Sequence, residues 1–485
     1  MHDESRIAWF TPLRPVPSGI ANYNEELLGV LGQCWPIDVF VDGYRPESIP
    51  SGESLPIFSA REFGRRDARH RYDAVVYQLG NSPAHAYMYD LALHRPGVVV
   101  LHDTMLHHLH LSMIGRRGGA TRYRQMMGDR YGAPGLQVAE QVLRGRIPIS
   151  LFEYPLTEDV IERAVHVIVH SEFARTSVLE LVPKARVSVV PMGIRLPPVI
   201  EQNAAREALD LDPNIFIVAS VTLVNPHKRL DVVLRSLSRL RRRRPVQLLV
   251  AGNVSPSVPL DRWIALYGLT DVVESLGYVD DRTARLVAAA ADTLVNLRYP
   301  TAGETSASLL RLMAAARPVL VSDTGSFQEL PDNAVAKVPV DAYEAETIEA
   351  YLEAFAEDSD LAEQLGQNAR QFVEREHSLD RMVIGYTQLF REAMGLDLEE
   401  PPPVDCTEHL QLERPFRRHG TNGLIESTAT ALLELGLAGH AQLSGEVARA
   451  IAELGLGPAK MEGDRVSACD VEKEQMDEFR RTKSD

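Results

Sequence analysis

Cysteine is scarce: Cys34, Cys406 and Cys469 are scattered through 485 residues. That spacing excludes a disulfide framework and a thiolate zinc site. No apolar run reaches the ~18–20 residues that span a bilayer. The opening MHDESRIAWF also lacks the basic-then-apolar pattern of a signal peptide. Positive charge is in deficit, with 51 Lys and Arg against 67 Asp and Glu, a formal charge of −16. Such a chain has no general attraction for nucleic-acid phosphate, although local basic patches survive. A reducing cytoplasm is the expected compartment, with peripheral contact at the inner face of the membrane left open. What is present is ordinary globular material, 45% hydrophobic and 24% charged. At ~100–200 residues per domain, the length calls for two to four domains.

Short β-branched runs at 7–10, 37–41, 74–77, 98–101 and 165–169 alternate with helix-period stretches such as 22–31. After Pro197-Pro198 a second series begins, with strands expected at 215–221, 246–251, 272–276, 293–297 and 318–321. Helices are expected between them at 231–241, 261–267, 282–291 and 306–316. Near-continuous apolar strands separated by helices predict an α/β fold of parallel sheets covered on both faces. Two doubly wound, Rossmann-like domains are expected, 1–195 and 196–377, facing one another across a cleft. An amphipathic helix follows at 378–396. Residues 397–485 read as an acidic, proline-rich linker, a small helical hairpin at 421–456 and a charged tail expected to be disordered.

In open parallel sheets ligands sit beyond the carboxyl ends of the strands, so the candidates are the polar residues that follow apolar runs. Ser18-Gly19 opens a helix after the first strand and offers free amides to an anion or a sugar hydroxyl, or serves packing alone. His102-Asp103 ends the 97–101 run; the histidine faces either a ligand oxygen or loop carbonyls. His107, His108 and His110 follow as a mixed helix surface and lack HExxH spacing, so no metal is expected. Lys228 and Arg229 both offer charge for a diphosphate, but neighbours on a helix point ~100° apart and one alone faces the site. The segment RYPTAGETSAS places Glu304 before a helix capped by Thr305 or Ser306, whose amides suit a diphosphate. Glu304 itself would repel phosphate and suits sugar hydroxyls, or is a first-turn acid. Two arginine-rich runs, 241–244 and 61–71, read as a helix cap and a solvated face, the second with anionic lipid or a phosphorylated acceptor as the alternative.

The ordered set SGIANY, VVVLHD, VIVHSEFAR, VSVVPMGI, NPHKRLD, LLVAGN, LGYVDD and GETSAS…RPVLVSDTGSFQELP resembles the family 4 retaining glycosyltransferases of the GT-B fold, bacterial members with a GETS-type block, across residues 6–396. The resemblance implies sugar transfer from a nucleotide-diphosphate donor to a glycan or lipid-linked acceptor, in polysaccharide or surface-glycan assembly. It implies no cofactor and no required metal. Lys228 would neutralise the leaving diphosphate, His102 would contact the transferred sugar, and Gly19 would lie near the phosphates. The first domain would hold the acceptor and the second the donor, with helix 378–396 crossing back to the first domain. Three positions depart from the family pattern. Arg311 stands where its second glutamate falls, Gly303 aligns with its first, and Leu223 replaces an arginine five residues before the lysine. The alternative is a catalytically silent relative that binds a sugar or a partner.

Overall fold

The computed structural model describes residues 5–394 except 17, 47–54 and 147–148. The expected linker, hairpin and tail of 397–485 lie outside the described residues.

Seven strands form the first sheet: β1 (Ile7–Phe10), β2 (Ile37–Val41), β3 (Ile57–Ser59), β4 (Ala74–Leu79), β5 (Val98–Leu101), β6 (His166–Val169) and β7 (Val187–Val189). Their order is β3-β2-β1-β4-β5-β6-β7, and every pairing is parallel. Six strands form the second: β8 (Phe216–Val221), β9 (Val246–Ala251), β10 (Val273–Gly277), β11 (Thr293–Asn296), β12 (Val319–Ser322) and β13 (Ala336–Val338). The order β10-β9-β8-β11-β12-β13 repeats the first six positions of the first sheet, again with parallel pairing only. Both sheets therefore reverse direction beside their own first strand, and a crevice opens there at the carboxyl ends.

The core strands are apolar on both faces: β1, β2, β4 and β5 are buried throughout. That is why they stand out in the sequence. Three strands were not anticipated. β3, β7 and β13 have three residues each, too few to show a period of two. The helix Gly119–Leu143 was also missed; Gly132 kinks it and Pro134 lies inside it, so its apolar period is broken.

The helix Leu379–Met394 follows the second sheet but packs on the helix Gly19–Cys34 of the first. Tyr386 and Tyr23 share a hydroxyl–hydroxyl hydrogen bond of 2.8 Å, and Trp35 Nε1 donates to Thr387 Oγ1 at 3.4 Å. Phe390 lies edge-on to Trp9 and Trp35, with centroids 6.2 and 5.9 Å away. The basic run at 241–244 is tied down rather than merely solvated. Arg241 holds Asp271 through two 2.9 Å bonds, and Arg243 pairs with Glu353.

Phe390 has no exposed surface, so Phe390→Ala leaves a cavity between the tryptophans and costs ~3–5 kcal/mol. Urea unfolding followed by tryptophan emission checks this; a loss below ~1 kcal/mol contradicts the packing described.

Candidate active site

The crevice brings together the loops after β1, β4 and β5 of the first sheet and those after β8, β11 and β12 of the second. Contact across it is direct. The Thr104 amide and Oγ1 both donate to the Ala302 carbonyl, at 2.8 and 2.9 Å. Gly303 sits at φ +77°, and a Cβ there would lie 2.2 Å from Thr104 Oγ1. Only glycine fits that position on both counts. Glu329 reaches over to the amides of Glu172, at 3.1 Å, and Phe173, which open the helix Glu172–Leu181.

Ser18 caps the helix Gly19–Cys34 by accepting from the Ile20 amide at 3.2 Å. A Cβ added to Gly19 would meet nothing within 4 Å, so packing does not explain this glycine. Gly80 is the opposite case. A side chain there would strike Ile20, His85 and Asp103, and its absence lets these three converge.

His102 is buried, its Nε2 2.7 Å from Gln78 Oε1 and its Nδ1 without a partner. Gln78 accepts the Nε2 proton, which leaves Nδ1 a free acceptor. Burial, then His170 and His85, lower the His102 pKa well below the usual imidazole value; the ring is neutral. Asp103 accepts from the Asn81 amide at 2.7 Å. Burial first, and Glu304 second, raise its carboxyl to about 7.

Lys228 ends the short turn Pro226–Lys228 after β8. It is half-buried, and no ion pair to it occurs among the described residues. Burial, then the charge of Arg298, depress its ammonium well below the usual lysine value, against the pull of Glu304. Glu304 pairs with Arg298 and also accepts from Thr301 Oγ1 at 2.9 Å and the Ala302 amide at 2.8 Å. Burial alone would raise this carboxyl, but Arg298 and Lys228 help to hold it below the usual range. Both of its oxygens are already engaged, so it organises its loop and pairs Arg298 before any sugar arrives. Ser306 spends its hydroxyl as the cap of Ala307–Met313, accepting from the Leu309 amide at 3.3 Å. Thr305 is half-buried beside it.

Asp103 and Lys228 lie close enough to Glu304 and Arg298 for their charges to act on one another, and His102 precedes Asp103, while Gly19, Thr305 and Ser306 stand at the starts of helices that follow the strands. Arg229 is directed elsewhere: its guanidinium grips the buried Glu344 through two bonds. A left-handed backbone at Arg229, φ +56°, turns it away from Lys228. Arg298, two residues past the end of β11 and six before Glu304, is a site residue that the sequence reading leaves without a role. His107 and His110 do not form a mixed helix surface. They are buried, and they bind the Tyr154 carbonyl at 2.6 Å and the Leu156 carbonyl at 3.1 Å. Among the described residues no group of three or more His, Cys, Asp or Glu could hold a metal ion, and no helix is long and apolar enough to cross a membrane. Arg311 forms an ion pair of 2.5 Å with Glu26, and the Arg195 amide donates to the same carboxylate at 3.0 Å.

Residues 201–372 match the family Glycosyl transferases group 1. The D-inositol 3-phosphate glycosyltransferase of Gordonia bronchialis is 29% identical over 285 residues, which are 54% of this chain and 61% of its own. The chain therefore spans about three fifths of that curated relative. The sucrose-phosphate synthase of Thermosynechococcus elongatus superposes with a TM-score of 0.59 at 17% identity, covering 81% of this chain and 99% of its own. Anabaena HepE in complex with UDP-glucose gives 0.56 at 14% identity, over 80% and 99%. The architecture is the GT-B fold, two Rossmann-like domains facing across the crevice.

Because the Asp103 carboxyl is raised from 3.8 to about 7, the folded protein binds its proton where the unfolded chain has lost it. The stability this residue contributes falls as pH rises from about 4 to 7. The buried histidines act the opposite way, but equally in both proteins compared. Asp103→Asn therefore loses less stability than the parent between pH 5 and 7.5. Thermal midpoints measured across that range check this, and parallel curves contradict it.

Proposed function

We propose that the protein is a retaining glycosyltransferase that moves a sugar from a nucleotide-diphosphate sugar to a glycan or lipid-linked acceptor in polysaccharide or surface-glycan assembly. The observation that carries this reading is Lys228, an ammonium depressed by burial and by Arg298 with no carboxylate of its own. A cation in that state gains most from an incoming dianion. The match of residues 201–372, which contain both Lys228 and Glu304, supports the assignment. UDP-sugars are the first donors to test, since HepE is described with UDP-glucose.

As the glycosidic bond to the leaving phosphate breaks, the sugar becomes oxocarbenium-like and negative charge grows on the diphosphate. Lys228 and Arg298 stabilise that charge, while Glu304 keeps Arg298 paired and oriented. Neutral His102 offers Nδ1 as an acceptor to a hydroxyl of the transferred sugar. Retention follows if the acceptor attacks on the face the diphosphate leaves and a phosphate oxygen takes its proton; no separate base is then required. The Thr104–Ala302 contact keeps the two walls together and excludes water that would hydrolyse the donor. The first domain, 1–195, holds the acceptor and 196–377 the donor.

A second reading, a silent relative that binds without turnover, draws on the Arg311–Glu26 pair, which puts a guanidinium where the family pattern has a carboxylate. Incubation with UDP-, GDP- and ADP-sugars followed by mass analysis separates the two. On the transferase reading one donor yields a product or free nucleoside diphosphate, and Lys228→Ala lowers that rate ~10²–10³-fold without lowering the thermal midpoint. Donor binding with no product decides for the silent relative.

A further inference from the structure

His108 does not share the inward orientation of its neighbours. His107 and His110 bind carbonyls of the 154–156 segment, but His108 bonds to Asn81, in the loop that follows β4. Its position is fixed from two sides. Thr104, which meets Ala302 across the seam, lies four residues before it. Asn81 donates through its backbone amide to Asp103 at 2.7 Å, and its side-chain Nδ2 lies 3.0 Å from His108 Nδ1. A single residue thus holds both Asp103 and His108.

The same bonds fix where the proton of the ring sits. The Leu109 amide can only donate, and it meets Asn81 Oδ1 at 3.2 Å. The other end of that side chain is then the NH₂ group, which donates to His108 Nδ1. Burial lowers the His108 pKa, so the ring is neutral and its one proton is on Nε2. Gln78 sets His102 the opposite way, with its proton spent and Nδ1 left as an acceptor. Two amide side chains therefore give the first wall one acceptor, at His102, and one donor, at His108. The donor stands near the cations of the second wall. The charge of His108 acts on His227, which also feels Lys228, Arg298 and Glu304, and such influence requires proximity. The Tyr299 amide donates to the His227 carbonyl at 2.8 Å, which ties the turn Pro226–Lys228 to the loop of Glu304. A sugar hydroxyl is served by an acceptor such as His102, whereas an ionised phosphate oxygen is served only by donors.

We propose that His108 is a further contact for the sugar donor, its Nε2–H reaching an oxygen of the diphosphate from the first wall while Lys228 holds the same anion from the second. The inference rests on the crevice taking a diphosphate. It gives the first domain a share of the donor besides the acceptor, and it makes the anion a bridge between the two walls.

The test is calorimetric titration of the full-length protein with UDP, GDP, ADP and inorganic pyrophosphate, the last carrying the anion without base or ribose. His108→Asn keeps an acceptor for Asn81 but is too short to reach where Nε2 was. His108→Gln places an amide N–H close to that point. The parent binds at least one probe, His108→Asn weakens it about tenfold or more, and His108→Gln recovers all but about threefold. The thermal midpoint without ligand is the same in all three proteins. A histidine that only braces Asn81 gives the reverse order, with Asn tolerated and Gln damaging. Parent binding that His108→Asn leaves unchanged, or that His108→Gln fails to restore, overturns this contact and spares the glycosyltransferase reading. A lowered midpoint in either variant marks a structural role and also overturns it. Failure of all four probes overturns that reading, and the contact with it.

Discussion

Everything in the crevice depends on how ionised groups are kept together away from water. Lys228 and Arg298 approach Glu304 and Asp103 at the seam of two domains, where screening is weak and each charge shifts its neighbours. The groups do not simply cancel. Arg298 and Glu304 pair, which leaves Lys228 short of negative charge and Asp103 reluctant to ionise. The site is thus biased toward an anion on one wall and toward a hydrogen-bonding group on the other. A diphosphate attached to a sugar has both characters.

This electrostatic arrangement is a product of topology. Two sheets that share the order of six strands present their crevices to each other, so residues 198 apart in the chain, Thr104 and Ala302, come within 2.9 Å. The contact residues are mostly backbone and small side chains, which lets the walls meet without filling the space a substrate needs. Glu329 at the start of the helix Glu172–Leu181 and Arg311 against Glu26 hold the same seam at two further points.

The sequence was most readable where burial is complete. Strands apolar on both faces, and helices with a sustained period, were placed to within a few residues. What escaped was short or interrupted: β3, β7, β13 and the kinked Gly119–Leu143. The candidate site was readable as positions in loops but not as partnerships. Nothing in a linear chain shows that Arg298 takes both the proximity and the charge of Glu304, that Arg229 turns back to Glu344, or that His107 and His110 face carbonyls from 154–156. Those outcomes are set by which residues the folded chain brings together. Gln78, which bonds His102, carries no local signature, whereas His170 beside it follows an apolar run within VIVHSEFAR, and only the fold shows that the two histidines meet.

The helix Leu379–Met394 covers a face laid down by Trp9, Tyr23 and Trp35. Synthesis on the ribosome runs from the first residue onward, so the first sheet must wait, with that aromatic face bare, until almost 400 residues have been translated. The two halves of the molecule consequently cannot mature one after the other. The earlier half is finished by the later one, and a nascent chain halted within the second sheet would carry a sticky aromatic surface of the kind chaperones hold.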